Sequence, residues 1–253
     1  MKILYITRKF PPSVGGMETH SYAFYNALRS KEEINLLAWG YSQIFLPLFI
    51  LKVILQVGIC ISMRKNAYDC ICLGDALLSP LGVLFKKIGG IPVVCIAHGL
   101  DVTFDFSLYQ RVINRSIRRM DRVICVSRYT KRECLMRGVS ESKIRVIPNG
   151  VSIQRRSWPP LSKETFLELL KERGVFIDKD TRIILSVGRL IKRKGIAEFI
   201  EDVLIQIEEE YPNLVYLIVG VGKERRRILR VIEKCALEDK VFLLGKVEDR
   251  LLY

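Results

Sequence analysis

The chain of 253 residues contains two histidines, and one of them, His98, stands in Ala97-His98-Gly99-Leu100-Asp101 at the end of an apolar run. An imidazole beside a glycine at a strand end can reach into a cleft and hold or exchange a proton near neutral pH. A carboxylate three residues on, Asp101, can orient a ligand hydroxyl. A capped or merely buried histidine gives the same pattern. In Lys9–Glu18, Gly15-Gly16 precedes a helical pattern, where paired glycines let backbone N–H groups approach an anion at the positive helix end. A tight turn needs the same glycines, and neither GxGxxG nor GxxxxGK[ST] spacing is present. Gly188-Arg189 closes another apolar run, and Lys194-Gly195 opens the helix after it. Two cations at a helix start suit a diphosphate, with a solvated basic loop as the alternative. Val219-Gly220-Val221-Gly222 repeats the strand–glycine–helix arrangement, where a plain turn competes, and Pro148-Asn149-Gly150 reads as a turn.

Charge adds a sixth feature. Lys and Arg number 41 against 27 Asp and Glu, a net charge of +14. Residues 1–157 hold 23 basic and 10 acidic side chains, and residues 158–253 hold 18 and 17, so the excess sits in the first half. Such a surface attracts polyanions. Arg111, Arg115, Arg118 and Arg122 follow one helical stripe, with Leu108, Val112, Ile113, Ile117 and Met120 expected largely on the other side. A solvated face competes with docking on anionic lipid. No nucleic-acid partner is expected, because no reading motif or cluster of stacking aromatics is present. The odd number of cysteines, seven, set in apolar runs, suits free thiols in a reducing compartment, and no metal site is expected.

These residues need elements to hold them. Apolar runs at Lys2–Thr7, Ile34–Trp39, Asp69–Leu73, Pro92–Ala97, Arg122–Val126 and Ile144–Ile147 alternate with helical patterns, which predicts βαβ units and a parallel sheet. Ser157-Trp158-Pro159-Pro160 reads as a stiff connector. A second series follows, with strands at Arg182–Val187, Leu214–Val219 and Lys240–Leu244. The expectation is α/β, two tandem Rossmann-like doubly wound domains at 1–157 and 158–253, the second incomplete. Each glycine or cation segment then falls beyond the carboxyl end of a strand, where such sheets bind ligands. Ile44–Met63 is long enough to span a bilayer, yet its Lys52, Pro47 and Gln56 favour a covered or interfacial helix. Met1-Lys2 leads directly into a strand, so no signal peptide is read and a cytoplasmic location is expected.

Together the segments resemble the GT-B glycosyltransferases of the group 4 class. Pro11–His20 looks like that family's glycine-rich first loop, and His98-Gly99-Leu100-Asp101 is similar to its HGxD element. Ser127–Thr130 and Ile147–Val151 resemble the segments closing its first domain. Gly188-Arg189 with Lys194-Gly195 looks like its donor-diphosphate motif, followed by the loop Gly220–Gly222. The resemblance implies a retaining, hexosyltransferase-like enzyme that needs no metal or other cofactor. It would move a sugar from a UDP- or GDP-sugar donor to a glycan or lipid-linked acceptor in polysaccharide or glycolipid biosynthesis. Arg189 and Lys194 would neutralise the leaving diphosphate. Gly15, Gly16, Gly220 and Gly222 would complete the donor side, His98 would be catalytic, and Asp101 and Asn149 would lie on the acceptor or sugar side. The arginine stripe would place the chain peripherally on the inner membrane face. Two departures stand out: Ser152 replaces the usual acidic residue, and the family's E-x7-E element should follow a helix near Asp249, past Tyr253. A sequence lacking that element reads as a fragment, a frameshifted product or half of a split enzyme completed by a second chain, with a non-catalytic or partner-dependent membrane-associated subunit as the alternative.

Overall fold

A computed structural model describes residues 1–63, 67–150 and 162–247. The chain divides into two units, Met1–Ser152 and Ile153–Tyr253. The expected boundary at 157/158 and the Pro159-Pro160 connector fall outside the described residues, as do Ser152 and the stretch from Asp249.

In unit 1, strands β1 (Lys2–Thr7), β2 (Glu33–Ala38), β3 (Cys70–Leu73), β4 (Val93–Ala97), β5 (Arg122–Cys125) and β6 (Ile144–Val146) form one sheet in the order β2-β1-β3-β4-β5-β6. Every pairing is parallel. Its central strands bury nearly every side chain, as near-continuous apolar runs covered on both faces must. The strand order reverses between β1 and β3, and the crevice at that switch point is where open α/β sheets take ligands.

Helix α1 (Gly16–Arg29) covers one face, with Phe24 and Tyr25 packed around Tyr5 and Ile96. Helices α2 (Leu46–Met63), α3 (Ser79–Gly89), α5 (Ser107–Ile117) and α6 (Arg128–Met136) belong to the core of the other face. A helix that no sequence periodicity announces, α4 (Leu100–Thr103), occupies part of the HGxD segment. Its N-cap, Gly99, has φ 102°, a backbone region that side chains rarely adopt.

Helix α2 buries Phe49, Val53, Val57 and Ile61 in the core, so one side of it is covered, in line with the covered or interfacial reading. The arginine stripe departs from expectation in two ways. Helix α5 ends at Ile117, and Arg122 is the first residue of β5. Leu108 and Val112 are 60% and 43% exposed among the arginines, while Ile113, Ile117 and Met120 are buried. A 3.6-residue repeat brings 108 and 112 round to the same side as 111, 115 and 119.

In unit 2, β7 (Arg182–Val187), β8 (Leu214–Val219) and β9 (Val241–Gly245) pair in parallel in that order. Helix α7 (Lys163–Lys171) covers one face of the sheet. On the other, α8 (Ile196–Phe199) runs through a π-helical stretch into α9 (Ile205–Glu210), beside α10 (Arg225–Lys234). β8 is wholly buried. Among the described residues β7 is an edge strand, and Ile183, Leu185 and Val187 are each at least 40% exposed.

Candidate functional site

The carboxyl ends of β1, β3 and β4 bring together residues from four distant segments. His98 follows β4, and its Nε2 lies 3.0 Å from the Gly74 carbonyl oxygen just beyond β3. A carbonyl only accepts, so Nε2 carries a proton, and in the neutral ring Nδ1 is the acceptor. His20, on α1, meets His98 edge to face with ring centroids 5.0 Å apart. Burial, with a smaller contribution from His98, holds the His20 imidazole below its ordinary pKa of 6.5. Its Nδ1 is buried and has no hydrogen-bond partner among the described residues.

Asp101 is only 6% exposed, and both its carboxylate oxygens are engaged. Oδ1 accepts the backbone N–H of His98 at 2.9 Å, and Oδ2 accepts that of Ala76 at 2.9 Å. Sequence reasoning assigns this carboxylate to a ligand hydroxyl; the structure gives it to two loops, which it fastens to each other. Burial raises its pKa, and neighbouring Asp75 raises it further, while the two amide hydrogen bonds oppose the shift. The Tyr109 hydroxyl donates to the Asp101 carbonyl at 2.5 Å and closes the turn from outside.

Asp75 is fully buried, with Arg8 Nε 2.9 Å from its Oδ2. That contact lies off a hydrogen-bonding direction, so it is chiefly Coulombic. Asp75 Oδ1 caps the following turn by accepting the Leu77 N–H at 3.0 Å. Arg8 also donates to Gln43 Oε1 at 3.0 Å. Sequence reasoning misses Arg8, His20 and Asp75. The signal that could have found them is positional: Arg8 and Asp75 lie just beyond β1 and β3, the strands flanking the switch point.

The first loop is fastened by Glu18 in the first turn of α1. Its Oε1 lies 3.3 Å from Lys9 Nζ and accepts from Ser13 Oγ at 3.5 Å. A carboxylate near the start of a helix also opposes the positive end of the helix dipole. A Cβ at Gly15 would stand 2.4 Å from Glu18 Oε2, whereas one at Gly16 would meet nothing within 4 Å. A side chain at Gly15 would thus displace the end of Glu18 from its contacts with Lys9 and Ser13, whereas Gly16 has room for one. Asn149 is exposed beyond β6, two strands away from β4, and the structure does not bring it to His98.

In unit 2, Arg189 and Lys194 are exposed on the loop between β7 and α8, and neither has an ion-pair partner among the described residues. Gly195, with φ 66°, turns the chain into the helix. A Cβ at Gly220 would stand 1.8 Å from the Gly188 carbonyl oxygen, and one at Gly222 would stand 2.2 Å from that of Leu190. The expected close approach at these glycines is thus to the neighbouring loop. Backbone bonds Gly188 N–H to Val219, Leu190 N–H to Val221 and Glu224 N–H to Leu190 hold the two loops side by side.

Comparison with known proteins gives this arrangement a lineage. One relative is a phosphatidylinositol N-acetylglucosaminyltransferase component from Arabidopsis thaliana, 23% identical over 98% of this chain and 58% of the relative. A glycosyltransferase of Methanocaldococcus jannaschii is 26% identical, covering all of this chain and 71% of that one. The chain spans little more than half the length of the first curated relatives it matches. Among solved structures, Anabaena HepE in complex with UDP and glucose superposes with a TM-score of 0.72 at 22% identity, over 100% of this chain and 71% of that chain, which establishes the GT-B fold. The profile for Glycosyl transferases group 1 matches residues 170–253. The profile for Glycosyltransferase Family 4 matches residues 14–155, more than half of the sequence, and the chain belongs to that family.

Proposed function

We propose that the chain carries the machinery of a retaining glycosyltransferase that moves a sugar from a UDP- or GDP-sugar to a glycan or lipid-linked acceptor, working peripherally at the cytoplasmic face of a membrane. The observation that carries this reading is the exposed Arg189/Lys194 pair, unpaired among the described residues, on the strand-end loop leading into a helix. Cations held free of carboxylates are suited to the charge that grows on a departing diphosphate, and such electrostatic stabilisation is usually the largest catalytic contribution. The HepE complex with UDP and glucose supports a nucleotide-sugar donor. The phosphatidylinositol in the Arabidopsis relative's name, and the diphosphoundecaprenol in that of an Escherichia coli galactosyltransferase, support a lipid-linked acceptor.

On the first unit, His98 would meet the transferred sugar. With its Nε2 proton committed to Gly74, its Nδ1 accepts a hydrogen bond from a sugar hydroxyl. Asp101 acts here as a positioning residue, because its contacts are with the His98 and Ala76 amides. The Gly16 amide opens α1 and would add a donor for phosphate. A partner-dependent subunit is the alternative reading, favoured by the Arabidopsis relative, which is itself named as one component of a transferase.

The test is calorimetric titration of the chain with UDP, GDP and their sugar conjugates, beside Arg189→Ala/Lys194→Ala. Saturable binding of one nucleotide, weakened at least about tenfold in the double variant, is expected from the loss of two charge-assisted contacts. Equal binding by both proteins overturns the assignment. Turnover that appears only on adding a partner chain selects the partner-dependent reading.

A further inference from the structure

The outer side of α2 has no covering among the described residues. Ile44, in the 3-10 turn that leads into the helix, and Leu48, Leu51, Leu55 and Ile59 are each more than 50% exposed. Their spacing of four, three, four and four residues keeps them on one narrow strip of the helix. Phe49, Val53, Val57 and Ile61 on the opposite side lie in the core. Helix α2 packs on α3, and α3 packs on α5, so the apolar strip and the exposed Arg111, Arg115 and Arg119 belong to one helical layer. The segments 41–63 and 107–120 contain no Asp or Glu.

We infer that this layer docks on an anionic lipid bilayer, with α2 lying in the plane of the interface, its outer strip below the head groups and Arg111, Arg115 and Arg119 on lipid phosphates. Gln43–Ile61 is long and apolar enough to cross a membrane, with a mean hydropathy of 2.5. Crossing would require α2 to leave the sheet and expose the core residues that it covers. Half-immersion satisfies both sides of the helix at once. A second copy of this chain is the wrong occupant on charge grounds, because its matching layer offers the same arginines and no carboxylate from α2 or α5 to meet them. A lipid surface supplies apolar depth and phosphate together. Lys52, exposed on the flank of the strip, can extend its stem along the apolar surface and keep its ammonium among the head groups.

This inference deepens the peripheral attachment proposed above and is independent of the transfer chemistry, since vesicle binding and nucleotide binding are read separately. The experiment is flotation of the full chain with phosphatidylcholine vesicles and with vesicles containing phosphatidylglycerol. The wild type should float with the anionic vesicles. Leu51→Asp/Leu55→Asp should lower partitioning by at least about tenfold, because two exposed apolar side chains that would enter the bilayer are replaced by charges. Arg111→Ala/Arg115→Ala/Arg119→Ala should lower it by about fivefold per arginine on anionic vesicles only. All five positions are exposed, so melting curves should match the wild type; Lys52→Glu, which leaves the strip intact, is an independent variant expected to weaken anionic binding. The proposal fails if the wild type stays soluble with both vesicle types, or if the Asp variant floats as the wild type does. Retention after alkaline carbonate extraction would also overturn it, in favour of a spanning helix. So would a lipid-free dimer dissolved by the Asp variant, in favour of a second copy.

Discussion

In unit 1 the loops beyond β1, β3 and β4 are tied together by side chains. Asp101 grips two backbone amides, Asp75 faces Arg8, and Glu18 faces Lys9. In unit 2 the loops beyond β7 and β8 are held together chiefly by backbone contact, at separations only glycine permits, with Arg227 linking Glu224 to Glu198 beyond them, and Arg189 and Lys194 are exposed. The first arrangement fixes an imidazole, which needs a defined direction to meet one atom. On the proposed reading, the second presents two exposed cations to a diphosphate, whose rotatable bonds tolerate variation in angle. Buried carboxylates are costly unless they are hydrogen-bonded or paired with a charge, so order in unit 1 depends on the two amides that Asp101 accepts and on the Arg8 charge beside Asp75 Oδ2. Order in unit 2 depends on the absence of Cβ atoms.

The largest effect is expected from Gly220→Ala. A methyl group 1.8 Å from the Gly188 carbonyl, at φ 142°, cannot be accommodated without separating the loops. We expect a loss of roughly 3 kcal/mol or more, read as faster hydrogen exchange across β7, β8 and β9 with unit 1 unaffected. Asp101→Ala should follow. It strands the buried His98 and Ala76 amides and should lower the stability of unit 1 by about 2–4 kcal/mol in denaturant titrations. Asp101→Asn, which keeps one acceptor oxygen, should recover part of this. If Asp101→Ala is neutral, the carboxylate is not what fastens the loops, and the contrast between the units collapses.

A pH titration sharpens the comparison further. The His20 imidazole is held below 6.5 by burial and by His98, so the unfolded chain binds the proton more readily than the folded one. The stabilising contribution is present above pH 6.5 and is lost as the pH falls from there through the lowered value. Denaturation midpoints of unit 1 should therefore drop on mild acidification, and His20→Phe should flatten that slope while hydrogen exchange of unit 2 shows no matching change. The smallest effect belongs to Gly16→Ala. With open space around the new methyl group at the start of α1, stability should change by less than about 0.5 kcal/mol. Any loss of nucleotide affinity in that variant then reports approach of the ligand to the helix start, separately from folding.

The strands were legible because burial on both faces writes near-continuous apolar runs into the sequence, and β1, β7 and β8 match their expected limits. The small differences elsewhere fall at element ends, where hydrogen bonding frays. Helix α4 was not legible: four residues carry no periodicity, and it exists because Gly99 turns the chain and Asp101 bonds back to His98. Leu108 and Val112 face outward because angular position, not apolar character, sets the side of a helix that a residue occupies.

Sequence alone determined the two α/β series, the charge asymmetry, and the appearance of glycines, His98 and the Arg189/Lys194 pair at strand ends, since each is a local pattern of a few residues. Tertiary structure alone decided that Arg8 meets Asp75 and His20 meets His98, that Asp101 serves backbone amides, and that α2 is core on one side and uncovered on the other among the described residues. Those outcomes depend on the strand order β2-β1-β3-β4, which brings residues up to ninety positions apart to one crevice. No local pattern encodes which strand lies beside which.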